Sequence, residues 1–316
     1  MNIDEIHAAA ARAEGHVRCT PLLTSPFLDE IAGRRVWVKA ECLQHTGSFK
    51  FRGAWSAVSA MSDEERERGI FASSSGNHAQ AMALAARIHG ATAVILMPSD
   101  APRLKIENTE ALGAEVILYD RATEDREVLA PRIATERQLT FIPPFDHPMV
   151  IAGQGTCGLE INDEAPEGAD VLVCCSGGGL TAGIALALEG TGRRVHPVEP
   201  EGFDDVARSL ASGERQRNAR TSGSICDAIL TPQAGDLTWP IIQRLCAPGI
   251  VVTEEEALRA MALAWLRLKI VVEPGGAVAL AAALFHGDQI SGEDVALTVS
   301  GGNVDAPLFQ RALETL

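Results

Sequence analysis

Basic residues are short in this 316-residue chain: 27 Lys and Arg face 42 Asp and Glu, for a formal net charge of −15. Such a field repels nucleic acid and anionic membranes, so neither is expected as a partner, and an anionic substrate would need a local cationic or amide-lined site. Long hydrophobic runs are missing as well. Nothing approaches the roughly 18 apolar residues of a membrane span, and the opening MNIDEIHAAAARAEG places acidic residues where a signal peptide needs an apolar core. The seven cysteines are an odd number with no C-x-x-C spacing, which fits neither a disulfide framework nor a zinc site and implies reduced thiols. There is no internal repeat, low-complexity tract or long linker. A soluble cytoplasmic protein is the expectation.

What is present is ample apolar material, 46% of residues, enough for a core shared by roughly two domains. Helical spacing marks residues 3–14, and Val36 to Val38 form a short strand before the loop ECLQHTGSF and a helix from Lys50 to Met61. Short β-like runs then alternate with alanine-rich helical stretches, first at 70–73, 93–97 and 115–119, and again at 171–175, 194–198 and 295–299. That alternation predicts an α/β fold with parallel sheets covered by helices on both faces. We expect two interleaved three-layer domains with a cleft between them, residues 1–68 with 147–316 forming the larger and 69–146 the smaller. Ligands of such sheets sit beyond the carboxyl ends of the strands, where the turns Ser73–His78, Ser176–Gly179 and Ser300–Asn303 fall.

Three of these segments carry chemistry. Ser176-Gly177-Gly178-Gly179-Leu180 follows the strand VLVCC and opens a helix, so its bare amides and the helix N-terminus form an anion cradle suited to phosphate. A flexible turn needing positive φ would read the same, and no Gly-Lys-Ser/Thr follows to make it a Walker A loop. Lys50 stands between Phe49 and Phe51 at a loop-to-helix junction, where lost hydration would lower its pKa and expose a nucleophilic amine, although a single lysine is ordinarily a surface one. The turn Ser73-Ser74-Ser75-Gly76-Asn77-His78 offers hydroxyls, an amide and N–H groups to a carboxylate; an N-cap would explain one serine but not three followed by Asn-His. An amine for an aldehyde, a phosphate cradle and a carboxylate cradle are what pyridoxal 5'-phosphate (PLP) chemistry on an amino acid requires.

With these motifs the chain resembles the fold-type II PLP enzymes, specifically the branch of serine/threonine dehydratases, serine racemases and 3-hydroxyaspartate dehydratases. The likeness runs through VWVKAECLQHTGSFKFRGA, SSSGNHAQA, MPSDAPRLKI, ALGAEVILYD, VIAGQGTCGLEI, CCSGGGLTAGIA, VEPEG, EPGGAVALAA and SGGNVD, in that order. It implies a tryptophan-synthase-beta-like fold with the cofactor in the cleft. By motif position, Lys50 would carry PLP, Phe49 would pack on its ring and Asn77 would meet its phenolic oxygen. The backbone of Ser176, Gly177, Gly178, Gly179 and Leu180 would hold the phosphate, and Ser300 the ring nitrogen. Ser74, Ser75, Asn77 and His78 would bind the substrate carboxylate. Where the family often has four glycines in the phosphate loop, this chain has Ser176 and three.

The resemblance further implies β-elimination on L-threonine or L-serine, with the freed Lys50 amine taking the α-proton, and a 2-oxo acid and ammonia as products. A neutral Ser300 at the ring nitrogen draws electrons weakly, which favours prompt loss of the β-hydroxyl. Ser75 matches the position that protonates the opposite face in racemases of the branch. Racemase-like members also hold a divalent cation, here through Glu199, the Phe203 carbonyl and Asp205, oxygen ligands suited to Mg²⁺, Mn²⁺ or Ca²⁺; an acidic surface turn is the alternative. Arg126 aligns with a cation that reaches a distal carboxylate, which would suit 3-hydroxyaspartate, and equally reads as an exposed helix arginine. A homodimer is the assembly the resemblance implies. Two other classes stay open: a catalytically silent PLP-binding protein of the same fold, and a nucleotide-binding oxidoreductase built on the Ser176–Gly183 loop.

Overall fold

The computed structural model describes residues 1–316 apart from Ser75, Pro102 and Arg121 and the side chains of Leu104 and Glu127. Asn2 opens α1 (Ile3–Ala13) through a capping box with Glu5. β1 (Leu22–Leu23), α2 (Pro26–Ala32) and β2 (Arg35–Ala40) lead to α3 (Lys50–Ser59) and α4 (Asp63–Arg68). Then β3 (Ile70–Ser73), α5 (Asn77–Ile88), β4 (Ala93–Pro98), α6 (Arg103–Ala111), β5 (Glu115–Tyr119), α7 (Arg126–Glu136) and β6 (Thr140–Phe141) alternate. The remainder runs α8 (Pro148–Glu164), β7 (Asp170–Cys174), α9 (Gly179–Ala187), β8 (Val195–Pro200), α10 (Asp205–Ser212), α11 (Thr238–Leu245), β9 (Ile250–Val252), α12 (Glu254–Leu268), α13 (Pro274–Phe285), β10 (Asp294–Val299) and α14 (Ala306–Leu313).

Among the described residues these strands make two sheets. One has the order β1-β2-β10-β7-β8-β9, parallel except for the antiparallel edge strand β1; the other is parallel throughout, β5-β4-β3-β6. Strands of the second sheet all fall between residues 70 and 141. Interior strands such as β4 and β7 are buried along their whole length, the reason their sequences read as unbroken apolar runs. α13 lies against β10, β7 and β8 in the larger core, while α3 and α5 build the core of the four-stranded sheet.

α8 is where the sequence reading found only a motif. Gly153, Gly155 and Gly158 dilute its helix propensity, each costing about 1 kcal/mol against alanine in isolation, yet they are what lets it pack. A Cβ on Gly153 would lie 2.5 Å from the Arg52 carbonyl of α3, and one on Gly155 would lie 2.9 Å from the Gly183 carbonyl of α9. The helix is paid for by close backbone approach to both neighbours.

The same junction buries charge. Arg52, 2% exposed, donates to both Glu41 oxygens at 2.7 Å and to Glu160 at 2.6 and 2.8 Å, while the fully buried Lys39 pairs with Glu160 at 2.9 Å and Glu164 at 3.1 Å. Paired and hydrogen-bonded throughout, this network fixes α3, and with it Lys50, against α8 and the loop after β2. Cys19 joins Glu160 and Glu164 in a potential metal-ligand grouping, but the cation already there is the Lys39 ammonium. No described helix is long and apolar enough to cross a membrane.

Candidate active site

The turns after β3, β7 and β10 open into one cavity of about 820 Å³. Lys50, at the first position of α3, lines it: its Nζ donates to the Pro144 carbonyl at 2.8 Å and lies 5.0 Å from the Phe49 ring centroid. Burial pushes this amine down to about 8. Of the two flanking phenylalanines only Phe49 faces the amine. Phe51, a third of a turn on, points into the core beside Trp55.

Glycine is needed in the loop after β7 for two reasons. Gly178 sits at φ +90, and a Cβ on Gly177 would fall 2.4 Å from Cγ of Phe145, whose ring packs over the loop. α9 starts at Gly179, so the first N–H groups of a nine-residue helix point out of its end without intrahelical partners. The Ser176 hydroxyl is engaged by Thr231, through a short hydroxyl–hydroxyl contact and the Thr231 N–H at 3.0 Å, which leaves the serine contributing backbone to the cradle.

Across the cavity, Ser74 Oγ accepts the Gly76 N–H at 3.2 Å and α5 begins at Asn77. His78 is buried and neutral, its pKa pushed down to about 3 by burial and then by Lys50. Its Nε2 pairs with the Ile142 carbonyl at 3.1 Å, so Nε2 carries the proton and the ring has no donor left for a carboxylate. What His78 offers the cradle is its backbone N–H in the first turn of α5. Ser75 lies outside the described residues. Ser300, 3% exposed, lines the cavity with its hydroxyl against the Cys174 thiol. Its carbonyl accepts the Phe49 N–H at 3.0 Å, which ties the last strand to the lysine segment.

Arg126, at the start of α7, lines the same cavity. Glu199, Phe203 and Asp205 do not; they sit at the carboxyl end of β8 and the entry to α10, all buried. Glu199 accepts the Val206 and Ala207 N–H groups at 3.2 and 2.8 Å, and Asp205 accepts from Asn218 at 2.6 Å and the Ala234 N–H at 3.0 Å. Burial, then the neighbouring Asp205, holds Glu199 well above the carboxylate range, and burial pushes Asp205 up to about 6. Two buried carboxylates at one junction, with Asp205 opposing the charge of Glu199, are a donor set a divalent cation fits.

Sequence reasoning missed the Pro144 carbonyl, Phe145, Lys105, Asp227, Glu273 and Asn303. Glu273 and Asn303 stand inside quoted motifs, EPGG and SGGN, but nothing in their spacing announces a partner.

A desolvated amine set between a glycine-built anion cradle and a serine turn, at the carboxyl ends of two parallel sheets, defines a fold-type II PLP enzyme. The chain belongs to the pyridoxal-phosphate dependent enzyme family, whose model matches residues 13–301, and within it to the serine/threonine dehydratase and serine racemase branch, as a PLP-dependent lyase. It is 41% identical over 299 residues to an L-threo-3-hydroxyaspartate ammonia-lyase of Saccharomyces cerevisiae, covering 94% of this chain and 91% of that protein. An L-threonine ammonia-lyase of Thermotoga maritima is 38% identical over 315 residues, 99% of this chain and 78% of that one. Among solved structures, maize serine racemase superposes with a TM-score of 0.93 at 37% identity, covering 99% of this chain and 97% of that one.

Proposed function

We propose that this enzyme removes water and ammonia from a 3-hydroxy amino acid, L-threonine or L-serine, to give a 2-oxo acid. The observation that carries the reading is the placement of Lys50: its amine, at a pKa near 8, shares one cavity with both anion cradles. Lys50 would carry PLP, the backbone from Ser176 to Leu180 its phosphate, Asn77 its phenolic oxygen, Ser300 its ring nitrogen, and Phe49 would pack against its ring. Bound there, PLP supplies the electron-withdrawing ring that acidifies the substrate α-proton. Ser74 and the first N–H groups of α5 orient the substrate carboxylate; the Lys50 amine, freed when the substrate amine takes its place on the cofactor, removes the α-proton, and the β-hydroxyl takes up a proton as it leaves and departs as water. The released enamine tautomerises and takes up water, freeing ammonia. Ser75, proposed to face Lys50 across the substrate, would add racemisation as a companion reaction. Glu199, the Phe203 carbonyl and Asp205 would hold a divalent cation with a structural and activating role.

One observation favours a second substrate, 3-hydroxyaspartate: Arg126 lines the cavity, where its guanidinium can meet a distal carboxylate. L-Serine, D-serine, L-threonine and the 3-hydroxyaspartate diastereomers, followed for oxo acid, ammonia and chirality in wild type and Arg126→Ala, decide both readings. Threonine and serine are expected to yield oxo acid. Arg126→Ala is expected to lower kcat/KM about 10- to 100-fold on hydroxyaspartate alone, the loss of one charged hydrogen bond. Equal losses on threonine and hydroxyaspartate sink the distal-carboxylate role; no oxo acid from any of them sinks elimination.

A further inference from the structure

One carboxylate in the cavity wall takes no part in that scheme. Glu273, directly before α13 and 2% exposed, accepts the Asn77 side-chain N–H on Oε1 at 2.6 Å, while its Oε2 accepts from no described residue. Asn77 is held from its other side too: Asn303 Nδ2 donates to Asn77 Oδ1 at 2.8 Å. The same Asn303 nitrogen donates to the Thr46 carbonyl at 2.8 Å. Thr46 stands at φ 58, in the left-handed region, within the turn that delivers Lys50. A Cβ on Gly301 would lie 2.1 Å from Glu273 Oε1, so glycine at 301 is what makes room for the carboxylate.

Hydrogen-bond roles settle the geometry. An ionised carboxylate only accepts, and a primary amide donates two hydrogens from one end and accepts at the other. With Glu273 on one side and the Asn303 amino group on the other, Asn77 has one permitted orientation; the flipped amide would set oxygen against carboxylate and amino group against amino group. Glu273 takes one Asn77 hydrogen, and the second remains for the cavity that Asn77 lines. Both Asn303 hydrogens are spent on Asn77 and Thr46.

We propose that Glu273 and Asn303 are positioning residues: together they fix the Asn77 amide so that its second hydrogen meets the cofactor's phenolic oxygen, and couple that contact to the Lys50 turn. The proposal rests on the reading of Asn77 as a PLP contact. Facing Glu273 are Lys50 of α3, Lys105 of α6, Asp227 and the thiols of Cys42, Cys174 and Cys226. Burial raises its carboxyl to about 7, with Lys105 pulling it down and Asp227 pushing it up. Its charge therefore changes within the range where such an enzyme is assayed.

The test uses PLP itself, titrated into apoprotein and followed by its absorption from about pH 6 to 8, with far-UV circular dichroism as a fold check. Glu273→Ala and Asn303→Ala are each expected to weaken PLP binding about tenfold, the double variant little more than either, because one chain of bonds is broken in both. Glu273→Gln keeps an acceptor for Asn77 but no titrating charge; it is expected to bind PLP within about threefold of wild type and to lose the component of the spectrum's pH dependence centred near pH 7, while the component near 8 that belongs to Lys50 remains. Wild-type PLP affinity in both alanine variants, or losses that simply add, overturns the proposal. If the alanine variants fail to fold, Glu273→Gln decides: an unaltered component near pH 7 overturns it. Because the readout is cofactor binding, an enzyme that behaves this way yet yields no oxo acid would refute elimination and leave the positioning role standing.

Discussion

Lys50 shows how far a single residue's chemistry follows from its surroundings. An ordinary lysine titrates near 10.4; burial brings this one to about 8, so below that pH the cavity holds an ammonium and above it a free amine. The unfolded chain keeps the higher value, so the folded apoprotein carries a penalty below pH 8 that is relieved as pH rises from there toward the unfolded value. The same shift predicts the kinetics of loading. The rate at which apoprotein attaches PLP covalently, read by stopped-flow absorbance, should climb about tenfold per pH unit between pH 6 and about 8 and then level off, with none in Lys50→Ala. A flat profile over that interval would show that the amine is not desolvated. Lys50 and the glycine loop were legible in the sequence only in combination with the serine turn and the family's motifs, since a lysine between two phenylalanines reads by itself as a surface one. Glu273 and Asn303 were not, since their bonds to Asn77 span 196 and 226 residues and no spacing encodes them.

At the scale of elements, the alternation of apolar runs and alanine-rich stretches located β3, β4, β7 and β10 within a residue or so, because strands buried on both faces cannot disguise their composition, and it located the edge strand β5 as well, although only Tyr119 of that strand is buried. Elements whose stability is tertiary escaped: α8, whose glycines serve packing, and α11, reached through a long polar loop. α10 was hidden for a third reason. Its first turn carries Asp205, which reads as an acidic surface turn until the fold buries it against Glu199. Two carboxylates gathered at one β8–α10 junction make a specific expectation. After EDTA treatment the holoenzyme should melt lower, and Mg²⁺, Mn²⁺ or Ca²⁺ should restore about 3–6 °C, the effect of a ligand at about 100 times its Kd. Glu199→Gln should not respond. Identical melting with and without EDTA and added cation would remove the metal from the reading.

For the whole molecule, the question is what joins the two sheets across the cavity. Lys105 of α6, on the four-stranded side, donates to Asp227 at 2.9 Å, in the loop that follows α10 on the six-stranded side, and both line the cavity. Burial opposes the Lys105 charge, but Asp227 and its hydrogen bond outweigh it and hold the pKa above the usual lysine value. Half of the Asp227 side chain is in water, 51% exposed, so the pair is screened and worth about 1 kcal/mol or less. A contact of that size does not hold the fold; the role left for it is local, in how firmly α6 is held to the opposite wall. Asp227→Asn should therefore leave the melting temperature within about 2 °C of wild type. Amide hydrogen exchange in α6 should quicken about two- to fivefold, and salt near 1 M should bring wild type toward the variant. A large drop in melting temperature would make the pair structural, and unchanged exchange in α6 would deny it any part in opening the cavity.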